Sequence, residues 1–480
     1  MSISSTLSNA LSGLTASSRA AEIVSSNLAN SMTEGYGRRE VSLSSQSTGK
    51  SGGVSVNGTI RHSNPNALQQ RRLADAEANQ NQTILSFQVN LETLVGHATD
   101  DGSLENKITE FEASLITAAS KPESEQRLKA LSRDGTELTE KFNTISEGIQ
   151  NLRARADAAI ASDVSRLNQL LSQTQDLNRK IASAHVQGHP TDGHMDTRQR
   201  ALDQISEIVP VQLMQRENGA VALYMGGGDV LLDTQAVKVE FAPSNVVTPH
   251  MTRDAGLLSG LSINGRAIDA SSMNGSLSGG RLSAQFEVRD ELAVKAQTDI
   301  DNLAADLVNR FQNPLTDQSL SAGQAGLFTD QDSYFDTANA TGLAARISLN
   351  SLVDERTTSD LWRLRDGLGA ASAGDKGNAD FLHRMKSALG QTSGLLSGTN
   401  ATIFGQASQL ASSLGADRIS AEEVSTVSET IRASLKEAEL SEGVDNDHEL
   451  QNLLLIEQAY AANARIVQTV EEMMDTLLRI

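Results

Sequence analysis

The densest group of ligand-type side chains lies in the segment HVQGHPTDGHMD, where His185, His189, Asp192, His194 and Asp196 fall within twelve residues. Imidazole and carboxylate together suit zinc or nickel. Two histidines four apart would share a helix face, but Gly188 and Pro190 break any helix that would align His185 with His189. The expectation is a solvated loop joining two helices, with no metal held there and no second group to orient the rings. STGKSGG offers Gly49-Lys50-Ser51, yet a phosphate loop needs glycine five residues before Gly49, where Ser44 stands. Gly226-Gly227-Gly228 falls between two strand-like runs and reads as a turn. The many serines include no G-x-S-x-G elbow, and paired carboxylates occur on polar helix faces. No catalytic, cofactor-binding or metal-binding residue is assigned, and neither enzyme activity nor a cofactor is expected.

If the side chains do no chemistry, the elements that carry them must account for the chain. Its 480 residues are enough for about two to four domains, each with a core. Lys and Arg number 40 against 60 Asp and Glu, for a net charge of -20, so a phosphate backbone would be repelled and nucleic acid is excluded as a partner. Aromatic residues are only 3% of the chain, which predicts cores of Leu, Ile, Val and Ala. The lack of cysteine excludes disulfides and thiolate chemistry. No window approaches the ~18 apolar residues of a membrane span, so no membrane partner is expected. MSISSTLSNALSGLTASSR lacks the basic and apolar regions of a cleavable signal. Composition by itself points to a helix-rich protein of the cytoplasm.

Four of the seven prolines (Pro190, Pro210, Pro243, Pro249) cluster between 190 and 249, leaving the flanks free for long helices. From about 125 to 185, apolar residues recur at threes and fours through Leu138, Phe142, Ile145, Ile149, Leu152, Ile160, Leu167 and Leu171. This predicts one long helix with a single buried face. Between 206 and 284 the period changes to alternation, with hairpin signals at Asn218-Gly219 and Asn264-Gly265. Helical spacing resumes from Leu282 to Leu307, residues 313 to 377 read as irregular, and weaker helices are expected near 378 to 396 and 420 to 439. The fold class expected is mainly α with a small β-rich insert.

The two ends share one pattern. Ile3, Leu7, Ala10, Leu14, Ser17, Ala21, Val24 and Leu28 are spaced strictly by fours and threes, as are Leu453, Ile456, Tyr460, Asn463, Val467, Val470, Met474 and Leu477. Both read as coiled-coil seams, one of small residues and one of large, although two amphipathic helices on a globular core would give the same periodicity.

LSNALSGLTASSRAAEIVSSNLANSMTEGYGRREV, residues 7 to 41, resembles the N-terminal signature of the bacterial flagellar axial proteins through Leu7, Ala10, Gly13, Leu14, Asn27, Ala29, Asn30, Thr33, Gly35 and Tyr36. The other end, SEGVDNDHELQNLLLIEQAYAANARIVQTVEEMMDTLL, is similar to the family's second signature through Gln458, Ala459, Tyr460, Ala462 and Asn463. Two departures are Glu34, where the family has proline, and the acidic DNDHE near 445. The long helix and the β insert resemble the members that sit at the junction of hook and filament. A hook or rod protein is the alternative, and a cell-wall hydrolase with such ends would need a catalytic pair that is not found.

The resemblance implies a structural adaptor that joins hook to filament, assembling as a ring of its own copies through paired terminal helices. Implied partners are hook protein, a second junction protein or filament subunits, and an export chaperone at the C-terminal helix. It also replaces the cytoplasmic reading: the destination becomes extracellular, in the flagellum, by type III export without a cleavable signal. The division expected is a terminal helical domain (1–60 and 440–480), an elongated helical bundle (61–205 and 285–439) and one β-rich outer domain (206–284). A seam meant for neighbours should stay exposed in a single subunit.

Overall fold

The computed structural model describes residues 3–48, 51–97, 100–244, 246–253, 255–268, 277, 279–393 and 400–479. Helix α1 (Ile3–Ala29) leads into an antiparallel hairpin of β1 (Arg39–Thr48) and β2 (Ser51–Arg61). The hairpin is an element that the reading of 1–60 as part of a terminal helical domain did not include. Its strands carry six serines among 21 residues, with Val41, Val54 and Val56 half-buried, so the alternation that marks a strand is faint. Gly49 and Lys50, weighed above as part of a phosphate loop, lie outside the described residues.

Helix α2 (Pro65–Val95) starts on proline behind Asn64, whose side chain accepts from the Asn66 and Ala67 amides. After α3 (Leu104–Ser120) comes α4 (Glu125–Val186), a single helix of 62 residues. Its boundaries match the periodic stretch, and at ~1.5 Å per residue it runs about 90 Å. Helix α5 (Asp192–Ile208) turns back along its distal half.

Two three-stranded antiparallel sheets follow, one of β3 (Val211–Gln215), β4 (Val221–Met225) and β5 (Val230–Leu232), the other of β6 (Val239–Glu240), β7 (Leu261–Ile263) and β8 (Arg266–Ile268). Both Asn-Gly turns form: Asn218 and Gly219 have φ of 54° and 76°, Asn264 and Gly265 48° and 79°. These left-handed pairs match the twist of a tight hairpin.

Helices α6 (Gly280–Glu287) and α7 (Ala293–Gln312) are joined through a π-helical turn at Val288–Leu292. An irregular stretch holds the short pair β9 (Phe328–Asp330) and β10 (Ile347–Leu349) and the one-turn α8 (Arg363–Asp366). Helix α9 (Asp380–Gly390) precedes α10 (Ile403–Ser441), which lies along α2, and α11 (Asn446–Leu478) packs on α1.

The apolar interior forms two clusters that share α4. One gathers α2, α3, α7, α9, the start of α10 and α4 up to Ala156, around edge-to-face contacts of Phe111, Phe311 and Phe328. The other takes α4 from Ile160 to Leu171, with α5, α6 and both small sheets. Between them sit two arginines with no solvent exposure. Arg153 donates to the carbonyls of Arg289, Thr248 and Met251 at 3.0, 3.1 and 2.5 Å, and Arg289 pairs with Asp157 and Asp290, each at 2.7 Å.

Candidate functional site

Helices α1 and α11 form a long antiparallel-in-sequence pair, the first and last elements of the chain brought side by side. Small residues on α1 permit the approach. A Cβ added to Gly13 would lie 2.7 Å from Asn463 Nδ2, so the glycine leaves the space that the asparagine fills.

Of the expected seam, Ala10, Val24 and Val470 are buried, while Ile3, Leu7, Leu14, Ala21, Leu28, Leu453, Ile456, Asn463 and Val467 are half-buried. Tyr460, Met474 and Leu477 are exposed. Val470 is only 4% exposed, so the expectation that a lone subunit leaves this seam open is corrected: α1 covers part of it within one chain. The hairpin covers a second flank of α1 that periodicity did not reveal, where Ser12 Oγ accepts from the Val54 amide at 3.2 Å and Ala16 and Ile23 are buried on the same side.

What remains open is the other face of α11. Leu454 and Leu455 are 59% and 62% exposed, and Leu450, Ile466 and Met473 are exposed with them, while Tyr460 is exposed on the seam stripe itself. Exposed apolar side chains in this number on one helix are a feature that interaction surfaces share.

The end of α1 is fixed by a polar joint. Asn27 has no exposure; its Oδ1 accepts from Tyr36 Oη at 2.9 Å and the Arg39 amide at 3.0 Å, and its Nδ2 donates to the Arg39 carbonyl at 2.8 Å and Glu449 Oε2 at 3.2 Å. Asn30 donates to the Ser26 carbonyl at 2.9 Å and accepts from Thr33 Oγ1 at 3.2 Å, closing the turn. Gly35 has φ of 74°, and a Cβ there would sit 2.7 Å from Arg200 Cγ. The motif residues Ala29, Gln458 and Ala459 are exposed.

The residues that complete the joint escaped the sequence reading. Glu449, 1% exposed, accepts from Arg38 Nε at 2.7 Å. Asp196, read above as part of a solvated loop, is instead a buried residue of α5 that accepts from Arg39 Nη2 at 2.5 Å, Arg61 Nε at 2.8 Å and the Gly37 amide at 3.1 Å. Its carboxylate is committed to three donors and locks the hairpin to the bundle. His185, His189 and His194 lie at the end of α4, in the connection and in the first turn of α5, all exposed. Among the described residues no group of three or more His, Asp or Glu could hold a metal, and no helix is long and apolar enough to cross a membrane.

A second ionic cluster supports the joint from below. Arg71 pairs with Asp75 and Asp203, each at 2.6 Å, and with Glu439, tying α2 to α5 and α10. Burial pushes the carboxyls of Asp75 and Glu439 up from their ordinary range, against the pull of Arg71.

Residues 89–328 match a family model described as the flagellar hook-associated protein FlgK helical domain. Residues 7–36 match a flagella basal body rod protein model, and residues 440–480 a flagellar basal body rod FlgEFG protein C-terminal model. Flagellar hook-associated protein 1 of Bacillus subtilis is 25% identical over 510 residues, covering 98% of this chain and 97% of that protein. The proteins of that name from Salmonella typhimurium and Escherichia coli are 26% and 23% identical, across 54% and 57% of this chain and about half of their own length, 51% and 52%. A helical middle that matches across half of the chain, between two ends of the axial type, identifies a structural component of the bacterial flagellum without enzymatic chemistry: the chain belongs to the flagellar hook-associated protein family.

Proposed function

We propose that this chain joins the flagellar hook to the filament, as a ring of its own copies held together by the paired terminal helices. The observation that carries this reading is the unpaired apolar face of α11, centred on Leu454 and Leu455, on a helix whose opposite side is already taken by α1. One face closes the subunit, and the other is left for neighbours. The seam residues named above then serve two purposes: Ala10, Val24 and Val470 hold the pair, while Tyr460, Met474 and Leu477, left exposed on the same stripe, meet adjoining subunits beside the open face.

Three regions follow from this assignment. The terminal pair (1–60 and 440–480) lies innermost, the helical bundle (61–205 and 285–439) surrounds it, and the β-rich part (206–284) is outermost. Hook protein would contact one rim of the ring, and a second junction protein or filament subunits the other. The chain would reach this place by type III export, with a chaperone covering the apolar face of α11 beforehand. The rod-type matches at the ends alone would also suit a hook or rod component, but the helical middle favours the junction.

Immunogold labelling of isolated flagella with an antibody to the β-rich part should mark a single band where hook meets filament. Label spread along the hook or confined to the rod would overturn the assignment.

A further inference from the structure

A groove of about 550 Å³ opens between α2, α5 and the β3–β4 hairpin. Its charged lining consists of Arg61, Arg72 and Arg198, with no aspartate or glutamate among the lining residues, in a chain whose net charge is -20. Leu68, Leu202 and Leu213 supply apolar wall.

One of the arginines, Arg198, carries charge that no carboxylate of the described residues neutralises. Arg198 is 9% exposed, and through Nη1 it donates to two neutral acceptors, Asn178 Oδ1 at 2.9 Å and the Gly219 carbonyl at 2.7 Å. No carboxylate pairs with it among the described residues. Burial, with Arg61 and Arg72 close by, pulls the Arg198 guanidinium down to about 10. Arg72 is ion-paired with Asp203 through Nε at 2.7 Å, and its outer nitrogens, without a protein partner among the described residues, are left to receive a further acceptor. A buried cation without a counter-charge is costly, and an anion brought in from outside would offset that cost.

The complementary charge lies on the same end of the bundle. The stretch 437–447, EAELSEGVDND, joins α10 to α11 and exposes Glu437, Glu442, Asp445 and Asp447. Asn64 Nδ2 donates to Glu442 Oε1 at 3.1 Å, and Arg61, Ser63 and Leu68 line both the cationic groove and the hollow beneath residues 439–444. Residues 61–68 therefore separate a cationic groove from an acidic ridge on neighbouring flanks of one subunit. A contact between two unlike surfaces of successive copies is heterologous, and it closes into a ring when the rotation between copies permits.

We propose that the groove receives the acidic 437–447 stretch of a neighbouring copy of this chain, with its carboxylates on Arg198 and Arg72. This rests on the ring reading above and adds to it a specific contact outside the terminal helices.

The chain has no cysteine, so introduced thiols have no background. Gln212, exposed on the groove, and Glu442, exposed on the ridge, would be replaced together as Gln212→Cys and Glu442→Cys in the full-length chain. Mild oxidation of flagella isolated from cells making this variant should give covalent dimers and higher multimers of the chain on a non-reducing gel. A second pair, Gln215→Cys with Glu437→Cys, serves if the first is not incorporated. Adding Arg198→Gln to either pair should slow cross-linking about thirtyfold or more, as loss of one partner of a desolvated charge pair does. Normal filaments in which both pairs yield only monomer would overturn the groove contact, as would an unchanged rate with Arg198→Gln. Absence of the parent chain from the hook-filament boundary would instead overturn the ring reading beneath it.

Discussion

Asn27 offers one acceptor oxygen and one amide nitrogen, and all four of its hydrogen bonds are made inside the protein. An aliphatic replacement would strand the Arg39 amide and carbonyl, the Tyr36 hydroxyl and one oxygen of Glu449. Asn27→Leu should cost on the order of 2–4 kcal/mol, because buried polar groups without partners lose their solvation. Amide hydrogen exchange should accelerate across 27–40 and 446–450 first, since these are the segments that the side chain joins. Asp301 shows a different balance. It accepts from the amides of Gly342 and Ala344 at 2.6 and 2.8 Å and from Gln297 at 3.0 Å, yet burial outweighs these donors and raises its carboxyl above the ordinary 3.8. A raised carboxyl holds its proton longer in the folded state, so its contribution is most favourable below the unfolded value and declines as pH rises through the folded one. The stability of the parent minus that of Asp301→Asn should therefore fall as pH increases above about 4 and level off once the native carboxyl is ionised. A difference that grows with pH in chemical denaturation would contradict the burial account.

At the level of elements, the two faces of α11 should respond differently. Leu454→Asp with Leu455→Asp alters exposed positions, so melting of the isolated chain should stay within about 0.5 kcal/mol of the parent while filament assembly fails. Val467→Asp with Val470→Asp strikes the side covered by α1, where an unpaired carboxylate costs several kcal/mol; protection of α1 and α11 should be lost in the monomer itself, to be read by hydrogen exchange. How far the elements were legible follows from what their buried faces are made of. Helix α4 buries Leu138, Phe142, Ile145, Ile149 and Ile160, and its whole length could be read from their spacing. Helix α10 runs 39 residues where only a weak helix over 420–439 was expected, because beyond Leu414 the positions it buries are Ser425 and Ser428, which carry no apolar period. Ser428 instead accepts from Asn81 Nδ2 at 3.0 Å, a pairing between distant segments that periodicity cannot signal. The joint was half legible for a related reason. Asn27, Gly35 and Tyr36 stand in one local motif, whereas Asp196 and Glu449 find their arginines across 157 and 411 positions of chain.

For the molecule as a whole, the longest of these links sets an order of events. Asn27 and Glu449 are 422 positions apart, and among the described residues α11 has no large packing partner besides α1. Contacts between distant segments form late, because the loop they close must first be ordered. The α3–α4 hairpin and the β3–β4 hairpin can form from neighbouring sequence alone. In pulsed hydrogen exchange during refolding, amides of α3 and α4 should become protected before those of α1 and α11, and simultaneous protection would argue against this order. A chain that emerges one end first is therefore incomplete until its final thirty or so residues are free. Helix α1 waits, half-uncovered, for α11, and the subunit presents the surface of that pair to its neighbours only once α11 is free.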